Sequence, residues 1–224
     1  AKQKAYTVSC LNNMRQLTVC WFQYAGDNHD IMVPNDFVYM VDPSSTNPPA
    51  LGADSSTWCR SLAPLDTNEI SEVSSMLFLY NRNAGIYHCP ADRSTVKGRP
   101  DKIRNRSYNM SNSIQNSVSD HFSKFTEIKN STSLFVFIDT HEVAIWDSTF
   151  GVFSSSSPWR DYWLDVAADR HQQGAILTFA DGRAERYKWR SPKDGSLFVR
   201  PAANADDLAD LRRIQEHVKG ASGN

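Results

Sequence analysis

The sequence predicts a single α+β domain, and three observations lead to that prediction. Residues 1–25 and residues 205–219 repeat apolar side chains at helical spacing. Between about 107 and 190 the pattern changes to the continuous or alternating apolar runs that form strands. The intervening residues 26–106 indicate loops with short helices. A helix, loops, an antiparallel sheet and a closing helix follow in that order, which is the order of an α+β fold.

The first predicted helix has one apolar face. Its apolar residues recur every three or four positions, as a buried helix face requires. They are Leu11, Met14, Leu17 or Thr18, Trp21 and Tyr24. Gly26 suits a C-cap, whereas the first turn offers no capping side chain. We therefore expect this helix to be the second half of a longer one.

The closing helix, 205–219, starts with Asn and Asp side chains that suit its N-cap. Its apolar face consists of Leu208, Leu211, Ile214 or Gln215, and Val218. Nearer the N-terminus, 56–65 and 69–80 indicate two short helices, 42–56 a loop, and 89–106 an extended surface loop.

The composition excludes several classes of protein. In 224 residues, 24 Lys and Arg nearly balance 25 Asp and Glu, so no global field attracts nucleic acid. No apolar run in the chain is long enough to span a bilayer. A hydrophobic content of 40% is that of an ordinary globular domain.

The four cysteines, Cys10, Cys20, Cys59 and Cys89, leave three interpretations open. They lack the CxxC spacing of zinc and thioredoxin-like motifs, so buried thiols and disulfides are the main alternatives. A catalytic thiol is the third, although Cys89 in "HCPAD" has no evident base nearby in sequence. Cys10 and Cys20 lie about 15 Å apart on one helix and cannot bond to each other, since a disulfide needs Cα atoms within about 7 Å. If all four pair, two connectivities remain.

In the segment "RHQQGAILTFADGRAERY", nine residues separate His171 from the pair Asp181-Gly182. Asp-Gly favours a two-residue type I′ turn, which pairs Phe179 with Ala184 and Leu177 with Arg186. His171 and Asp181 then lie at opposite ends of one strand and cannot share a metal. We expect His171 to fix the loop entering that strand through hydrogen bonds.

Two acidic segments are weak calcium candidates. "GDNHD" offers Asp27 and Asp30 but lacks the rest of an EF-hand loop, so a turn is the simpler interpretation. "FIDTHE" offers Asp139, His141 and Glu142; in a strand, Asp139 and His141 share a face and Glu142 points away. An acid–base pair there is a further alternative. No cofactor is otherwise expected.

Five motifs together carry a family resemblance. They are "SCLNNMRQL…W…YAGDNHD", "YHCPAD", "RSYNM", "FIDTHE" and the frame of His171 with Asp181-Gly182, and they occur in this order between about Ser9 and Gly182. The chain thereby resembles the prepilin-type H-X9-DG proteins, which are pilin-like proteins of the type II secretion pseudopilin kind. They occur in bacteria of the Planctomycetes–Verrucomicrobia–Lentisphaerae group.

The resemblance implies a pilin-like fold, with a long N-terminal helix packed on an antiparallel sheet over residues 1–224. It implies a structural subunit of a membrane-anchored secretion or pilus-type filament, extracytoplasmic and not an enzyme. Its partners would be other pilin-like subunits, the secretion machinery and, through about twenty apolar residues expected before Ala1, the inner membrane. Because the family motifs place a helix cysteine and a "CPAD" cysteine in one chain, the resemblance favours Cys10–Cys89 with Cys20–Cys59.

A second function remains open. The segment "SPWRDYW" offers Trp159, Tyr162 and Trp163, and aromatic rings of this kind stack on sugars. With the acidic end of the predicted strand, they suggest a secreted polysaccharide-binding or polysaccharide-acting module. A loop that packs on its own core or on a neighbouring subunit is the alternative interpretation of the same residues.

Overall fold

Helix α1 spans Lys2–Asp27 in a computed structural model. The structure describes residues 2–37, 39–40, 50–51, 56–193 and 199–221. The predicted helix is confirmed, but its buried face is rotated from the predicted one. Its buried residues are Cys10, Met14, Leu17, Thr18, Cys20, Trp21 and Ala25. Leu11 and Tyr24 lie at the border of this face and are only partly buried.

The remaining elements are short. The other helices are α2 (Phe78–Asn81) and α3 (Ala205–Gln215). The strands are β1 (Tyr39–Met40), β2 (Ala50–Leu51), β3 (Thr95–Val96), β4 (Arg99–Ile103), β5 (Tyr108–Ser111), β6 (Phe135–Asp139), β7 (Thr149–Phe150), β8 (Tyr162–Trp163), β9 (Gly174–Phe179), β10 (Ala184–Lys188) and β11 (Arg200–Pro201). Three of the sheets are two-stranded ribbons, β1 with β2, β3 with β4, and β8 with β11.

A five-stranded sheet in the order β10-β9-β6-β5-β7 forms the centre of the fold. Its first three pairings are antiparallel, whereas β7 runs parallel to β5. The prediction of an α+β fold is confirmed, but that of a purely antiparallel sheet is wrong. The backbone of Met110 donates to Ser148, which seats the short strand β7 beside β5 after a long excursion of the chain.

Both faces of this sheet are covered. On one face α1 packs on β9, β10 and β6, and its Met14, Leu17 and Trp21 belong to the same core as Val136 and Ile176. On the other face α3 contributes its residues to a second core, whose members include Phe135, Ile138, Leu177, Phe179, Leu211 and Ile214. Because both faces of the sheet are covered, β6 and β9 are buried along their whole length. Their sequences are therefore continuous apolar runs.

The hairpin of β9 and β10 is one residue out of the predicted register. Ala184 pairs with Thr178, and Glu185 rather than Arg186 pairs with Leu177. The cause is the turn: Gly182 has a φ of +86°, but Asp181 is not among the described residues with positive φ. A type I turn followed by a left-handed glycine makes a three-residue loop, whereas type I′ needs positive φ at both central residues.

Replacing Gly182 with Val is expected to lower the free energy of unfolding by about 1–2 kcal/mol, the cost of the left-handed region for an L-residue. Space is not the cause, because a Cβ there meets nothing closer than Phe22 at 3.6 Å. Denaturant unfolding measures the loss. Gly182→Asn is the matched control, since Asn tolerates this conformation; equal losses in the two variants would contradict the backbone explanation.

Residues 26–106 differ most from the prediction. Residues 56–65 form no helix, and of 69–80 only the last residues enter α2. Tertiary pairing overrides the local pattern, because Cys59 forms a β-bridge with Ser75 and Asn35 forms one with Thr57. The predicted surface loop 89–106 contains the ribbon of β3 and β4. The predicted loop 42–56 lies mostly outside the described residues.

Helix α3 confirms the predicted closing helix over Ala205–Gln215, with turns beyond it. Asn204 is its N-cap, and its side chain accepts a hydrogen bond of 2.9 Å from the Asp207 amide. Leu211, Ile214, Gln215 and Val218 are buried as predicted, while Leu208 is only half-buried. No helix within the described ranges combines the length and the apolar composition that crossing a membrane requires.

Candidate functional site

Four side chains from distant parts of the sequence meet under helix α1. They are Cys10, Cys89, Asp139 and His171, each wholly buried. One thiol, carboxylate or imidazole atom from each lies within 4.8 Å of the corresponding atom of all the others. We call these four residues the buried cluster.

Each member of the cluster is placed by its local structure. Cys10 is on the buried face of α1, and Asp139 is the last residue of β6. Cys89 follows a 3₁₀ turn, Ala84–Tyr87, and its amide donates to Ser107 Oγ at 3.1 Å. The sheet and the helix thus bring a thiol and a carboxylate together from opposite sides.

His171 is placed by a tight turn before β9. Gln172 and Gln173 both have a φ of 56°, so the chain reverses within two residues. The His171 amide donates to the Gly174 carbonyl at 3.1 Å, and its own carbonyl accepts from Arg186 Nε at 2.7 Å. The backbone of His171 therefore holds the turn that leads into β9, and its side chain is free to contact other elements.

The imidazole of His171 contacts three residues of other elements. Its Nε2 lies 3.3 Å from Cys89 Sγ and 3.2 Å from Asp139 Oδ2. Its Nδ1 lies 3.2 Å from Thr7 Oγ1, whose hydroxyl donates to the Gln3 carbonyl and so accepts from the ring. The backbone of His171 thus makes its hydrogen bonds at the entry to β9, whereas its side chain connects α1, Cys89 and β6.

Arg170 supplies the positive charge next to the cluster. Its Nη1 lies 3.2 Å from Asp139 Oδ1 and 2.9 Å from Asp92 Oδ2, and its Nη2 lies 3.3 Å from Glu142 Oε2. Because only the far side chain, Glu142, is substantially exposed, most of this ion network is buried. The Tyr108 hydroxyl lies 3.2 Å from Cys10 Sγ, another member of the cluster, within hydrogen-bonding distance.

The ionisation of the cluster is strongly shifted. Burial raises the pKa of the Cys10 thiol well above its usual value. Burial acts the same way on Cys89, but hydrogen bonds from Cys10 and His171 and the charge of Arg170 outweigh it and lower the pKa of Cys89 to about 6. Burial lowers the pKa of His171, but its close contacts with the Asp139 carboxylate and with Cys89 outweigh burial and raise the pKa to about 9. The two shifts act in the same sense, because each favours a negative charge on Cys89 and a positive charge on His171.

A cysteine, a histidine and an aspartate together suggest a nucleophile, but the geometry differs from a catalytic triad. In a triad the acid orients the ring nitrogen opposite the one facing the nucleophile. Here Cys89 and Asp139 both face Nε2 of His171. Cys89 is also wholly buried, so its sulfur is not open to solvent. The residue types instead match those that hold a transition metal.

The structure separates His171 from Asp181. Asp181 lies in the hairpin loop at the far end of β9, where its Oδ1 accepts from the Arg183 amide at 2.9 Å. Asp181 and Gly182 are therefore turn residues, and Asp181 does not belong to the buried cluster. The nine-residue spacing is the length of β9 with its two flanking turns.

All four cysteines are free in the structure, so neither predicted disulfide is formed in it. Cys10 and Cys89 nevertheless lie side by side in the buried cluster, as the favoured pairing requires. Cys20 and Cys59 are buried in the same apolar core. Their thiols are screened from solvent, and burial raises the pKa of both.

Of the four calcium candidates, only Asp139 belongs to the cluster. Asp27 ends α1, and the Asp30 carboxylate accepts hydrogen bonds from the amide and the hydroxyl of Thr126, as a turn residue does. Glu142 lies beyond the end of β6, so the predicted strand alternation is wrong there. Glu142 and Asp139 instead contact the same guanidinium, that of Arg170.

The aromatic residues Trp159, Tyr162 and Trp163 do not form a common platform. Trp163 is 1% exposed and lies in the core, where Lys193 Nζ is 5.2 Å from its ring centroid. Trp159 is 51% exposed and meets Tyr162 edge-on at 5.1 Å. The interpretation that this loop packs on its own core is supported for Trp163.

Sequence reasoning names every member of the cluster and pairs Cys10 with Cys89, but it does not bring all four residues together. Cys10 and Cys89 were candidates for a bridge, Asp139 for calcium, and His171 for a loop contact. The signal for their proximity was the resemblance, whose motifs contain "SCLNN", "YHCPAD", "FIDTHE" and the histidine. Arg170, which directly precedes His171, was not singled out.

Comparisons of the chain with protein-family models, with curated proteins and with solved structures gave no match.

Proposed function

We propose that this protein is a structural, pilin-like subunit of a membrane-anchored filament of the type II secretion or pilus kind. In this proposal it acts outside the cytoplasm, contacts other pilin-like subunits and has no catalytic role. An apolar segment continuous with α1 would hold it in the inner membrane before assembly. The proposal starts from the family resemblance of the five sequence motifs.

The observation that supports it best is the two-sided character of α1. One face of the helix packs on the sheet through Met14, Leu17 and Trp21. The opposite face carries Val8 and Val19, which are 56% and 52% exposed. These two valines are about three helical turns apart and so lie on the same side. A subunit whose helices pack together in a filament would cover such a face.

A non-catalytic role also agrees with the chemistry of the chain. The grouping that most resembles a catalytic site, the buried cluster, has no solvent-exposed member. The rival function, sugar binding by the aromatic loop, loses one of its three rings because Trp163 lies in the core, and Trp159 is its only strongly exposed ring. Neither fact identifies a filament, but both favour a structural role over an enzyme or a lectin.

Photo-crosslinking tests the proposal. The complete gene product would carry p-benzoylphenylalanine at Val19 and be expressed in the bacterium that encodes it. Irradiation is expected to join it to a second pilin-like subunit in the membrane fraction, because Val19 is on the uncovered face of α1. Immunoblotting and mass spectrometry identify the product, and detergent extraction establishes membrane attachment.

Val118 is the matched control. It is also an exposed valine, 77% accessible, but it lies in a loop remote from α1 in sequence. The same probe at Val118 is expected to give much less of the product. A protein recovered wholly without detergent, or equal crosslinking from both positions, would count against a filament subunit built on α1.

A further inference from the structure

We propose that Cys10, Cys89, Asp139 and His171 bind one zinc ion, and that this centre fastens helix α1 to the sheet. The inference is independent of the filament proposal. The four ligands come, in this order, from α1, from the segment before the β3–β4 ribbon, from the end of β6 and from the turn before β9: Cys10, Cys89, Asp139 and His171. Two thiolates, one imidazole and one carboxylate are a ligand set that suits Zn²⁺.

The spacing of the ligand atoms fits a four-coordinate site. Zinc bonds of about 2.0–2.3 Å define a tetrahedron with edges of about 3.3–3.8 Å. The separations of His171 Nε2 from Asp139 Oδ2, 3.2 Å, and from Cys89 Sγ, 3.3 Å, are close to that length. No two of the four ligand atoms are more than 4.8 Å apart, so side-chain adjustments of about 1 Å close the site.

The surroundings orient the ligands as zinc sites require. A ligating histidine usually donates its other ring N–H to an oxygen. Here His171 presents Nε2 to the cluster and Nδ1 to Thr7 Oγ1. Asp139 likewise turns Oδ2 inward, while its Oδ1 is 3.2 Å from Arg170 Nη1. Thr7 and Arg170 are thus positioning residues for the proposed ligands.

Asp139 gives an independent reason to expect a cation. Its carboxylate is wholly buried, yet neither oxygen accepts a hydrogen bond of good geometry. Arg170 Nη1, one of the two groups at ion-pair distance, donates none of good geometry either. Buried polar atoms in this condition require an explanation, and a bound ion is one of the few available. A metal on Oδ2 would satisfy the carboxylate directly.

The complete burial of all four ligands indicates a structural rather than a catalytic centre. Catalytic zinc keeps a coordination position open to water or substrate, whereas structural zinc is closed by four protein ligands. Cys10 and His171 are 161 residues apart in sequence, so the ion would link the first helix to the last part of the sheet. Zinc would then replace a disulfide as the link between Cys10 and Cys89.

Metal analysis of the full chain tests the inference. Protein purified with reduced thiols is expected to retain about one zinc ion per chain after gel filtration. Replacing the zinc with Co²⁺ is expected to give a thiolate-to-cobalt band in the near ultraviolet and the strong visible bands of tetrahedral cobalt. Cys89→Ser is expected to abolish stoichiometric zinc and the ultraviolet band. Cys59→Ser, another wholly buried cysteine, is the matched control and is expected to keep both.

A variant outside the four ligands guards against simple misfolding. Thr7→Val keeps the size of a half-buried side chain and removes only the oxygen that faces Nδ1. It is expected to weaken zinc binding by about 10- to 100-fold, as measured by competition with a chromophoric chelator. Thr7→Val with unchanged zinc affinity would contradict the assigned orientation of His171.

Three results would overturn the zinc site. The first is reduced wild-type protein that carries no zinc and gives no thiolate band with Co²⁺. The second is an equal loss of zinc in Cys59→Ser and Cys89→Ser. The third is a Cys10–Cys89 disulfide, without zinc, in protein taken from its own compartment; that result would support the bridge favoured by the family resemblance.

Discussion

Replacing Asp207 with Ala is expected to lower the free energy of unfolding by about 3–5 kcal/mol, because it removes one partner of a buried ion pair. Asp207 is wholly buried in the first turn of α3, where its Oδ1 accepts from Lys193 Nζ at 2.9 Å and its Oδ2 from Arg200 Nη1 at 2.6 Å. Lys193, itself buried between two tryptophan rings, then loses its contact with Asp207 and keeps the one with Asp210. Urea unfolding followed by fluorescence measures the loss.

Asp206→Ala is the matched control for this change. Asp206 is in the same first turn of α3 but is exposed, so its loss costs only a helix-dipole interaction of about 0.3–1 kcal/mol. If the two variants lost similar amounts of unfolding free energy, the buried ion pair would contribute no more than the helix-dipole interaction of Asp206.

The pH dependence of Asp207→Ala follows from the same contacts. Burial would raise the pKa of Asp207, but hydrogen bonds from Arg200 and Lys193 outweigh it and lower the pKa to about 2. The unfolded value is about 3.9, so the stabilisation is complete above that pH and is lost as pH falls toward 2. The difference between wild type and variant is therefore expected to narrow between about pH 5 and pH 2. A constant difference over that range would contradict the ion-pair explanation.

The two main helices were predictable because each one carries its own periodicity. In α1 a stripe through Met14, Leu17 and Trp21 recurs at helical spacing, and in α3 Asn204 caps a similar stripe. The sequence does not predict which neighbouring residues complete the buried face of α1. Cys10 and Ala25 are buried instead of Leu11 and Tyr24, since the exact rotation of a helix depends on the sheet beneath it.

Contacts between residues distant in sequence determine the register of the hairpin and the short elements. "ADG" is compatible with both a two-residue and a three-residue loop, and the structure selects the latter through the single left-handed residue Gly182. The strand β7 pairs in parallel with β5 although about forty residues separate them. Residue patterns do not encode such distant pairings, and the helical pattern at 69–80 gave way to the bridge between Cys59 and Ser75.

The buried cluster illustrates the same limit for a site. Its members come from four segments, so no spacing in the sequence reveals that Cys10, Cys89, Asp139 and His171 meet. Each residue alone has an ordinary explanation, as a buried thiol, a strand end or a loop contact. Only the packing of α1 on the sheet makes the four into one constellation.

Gly174, next to the buried cluster, is where the second large loss of stability is expected. It lies where β9, β10 and the His171 turn meet. A Cβ on Gly174 would lie 2.3 Å from the Tyr187 carbonyl oxygen and 3.3 Å from Arg186 Nε. The first contact is with backbone, which cannot rotate away as a flexible side chain can. Relief would require β9 and β10 to separate at the residues that hold the His171 turn.

Gly174→Ala is therefore expected to destabilise the fold by about 3 kcal/mol or more, the upper part of the range for an overpacked site. Gly26→Ala is the matched control with the opposite sign. A Cβ at Gly26 meets nothing within 4 Å and the residue is in α1, so alanine is expected to stabilise the protein by about 0.5–1 kcal/mol through helix propensity. Thermal unfolding of the two variants under identical conditions compares them. If Gly174→Ala were as stable as wild type, the close approach of β9 to the Tyr187 carbonyl, and with it the placement of His171, would be wrong.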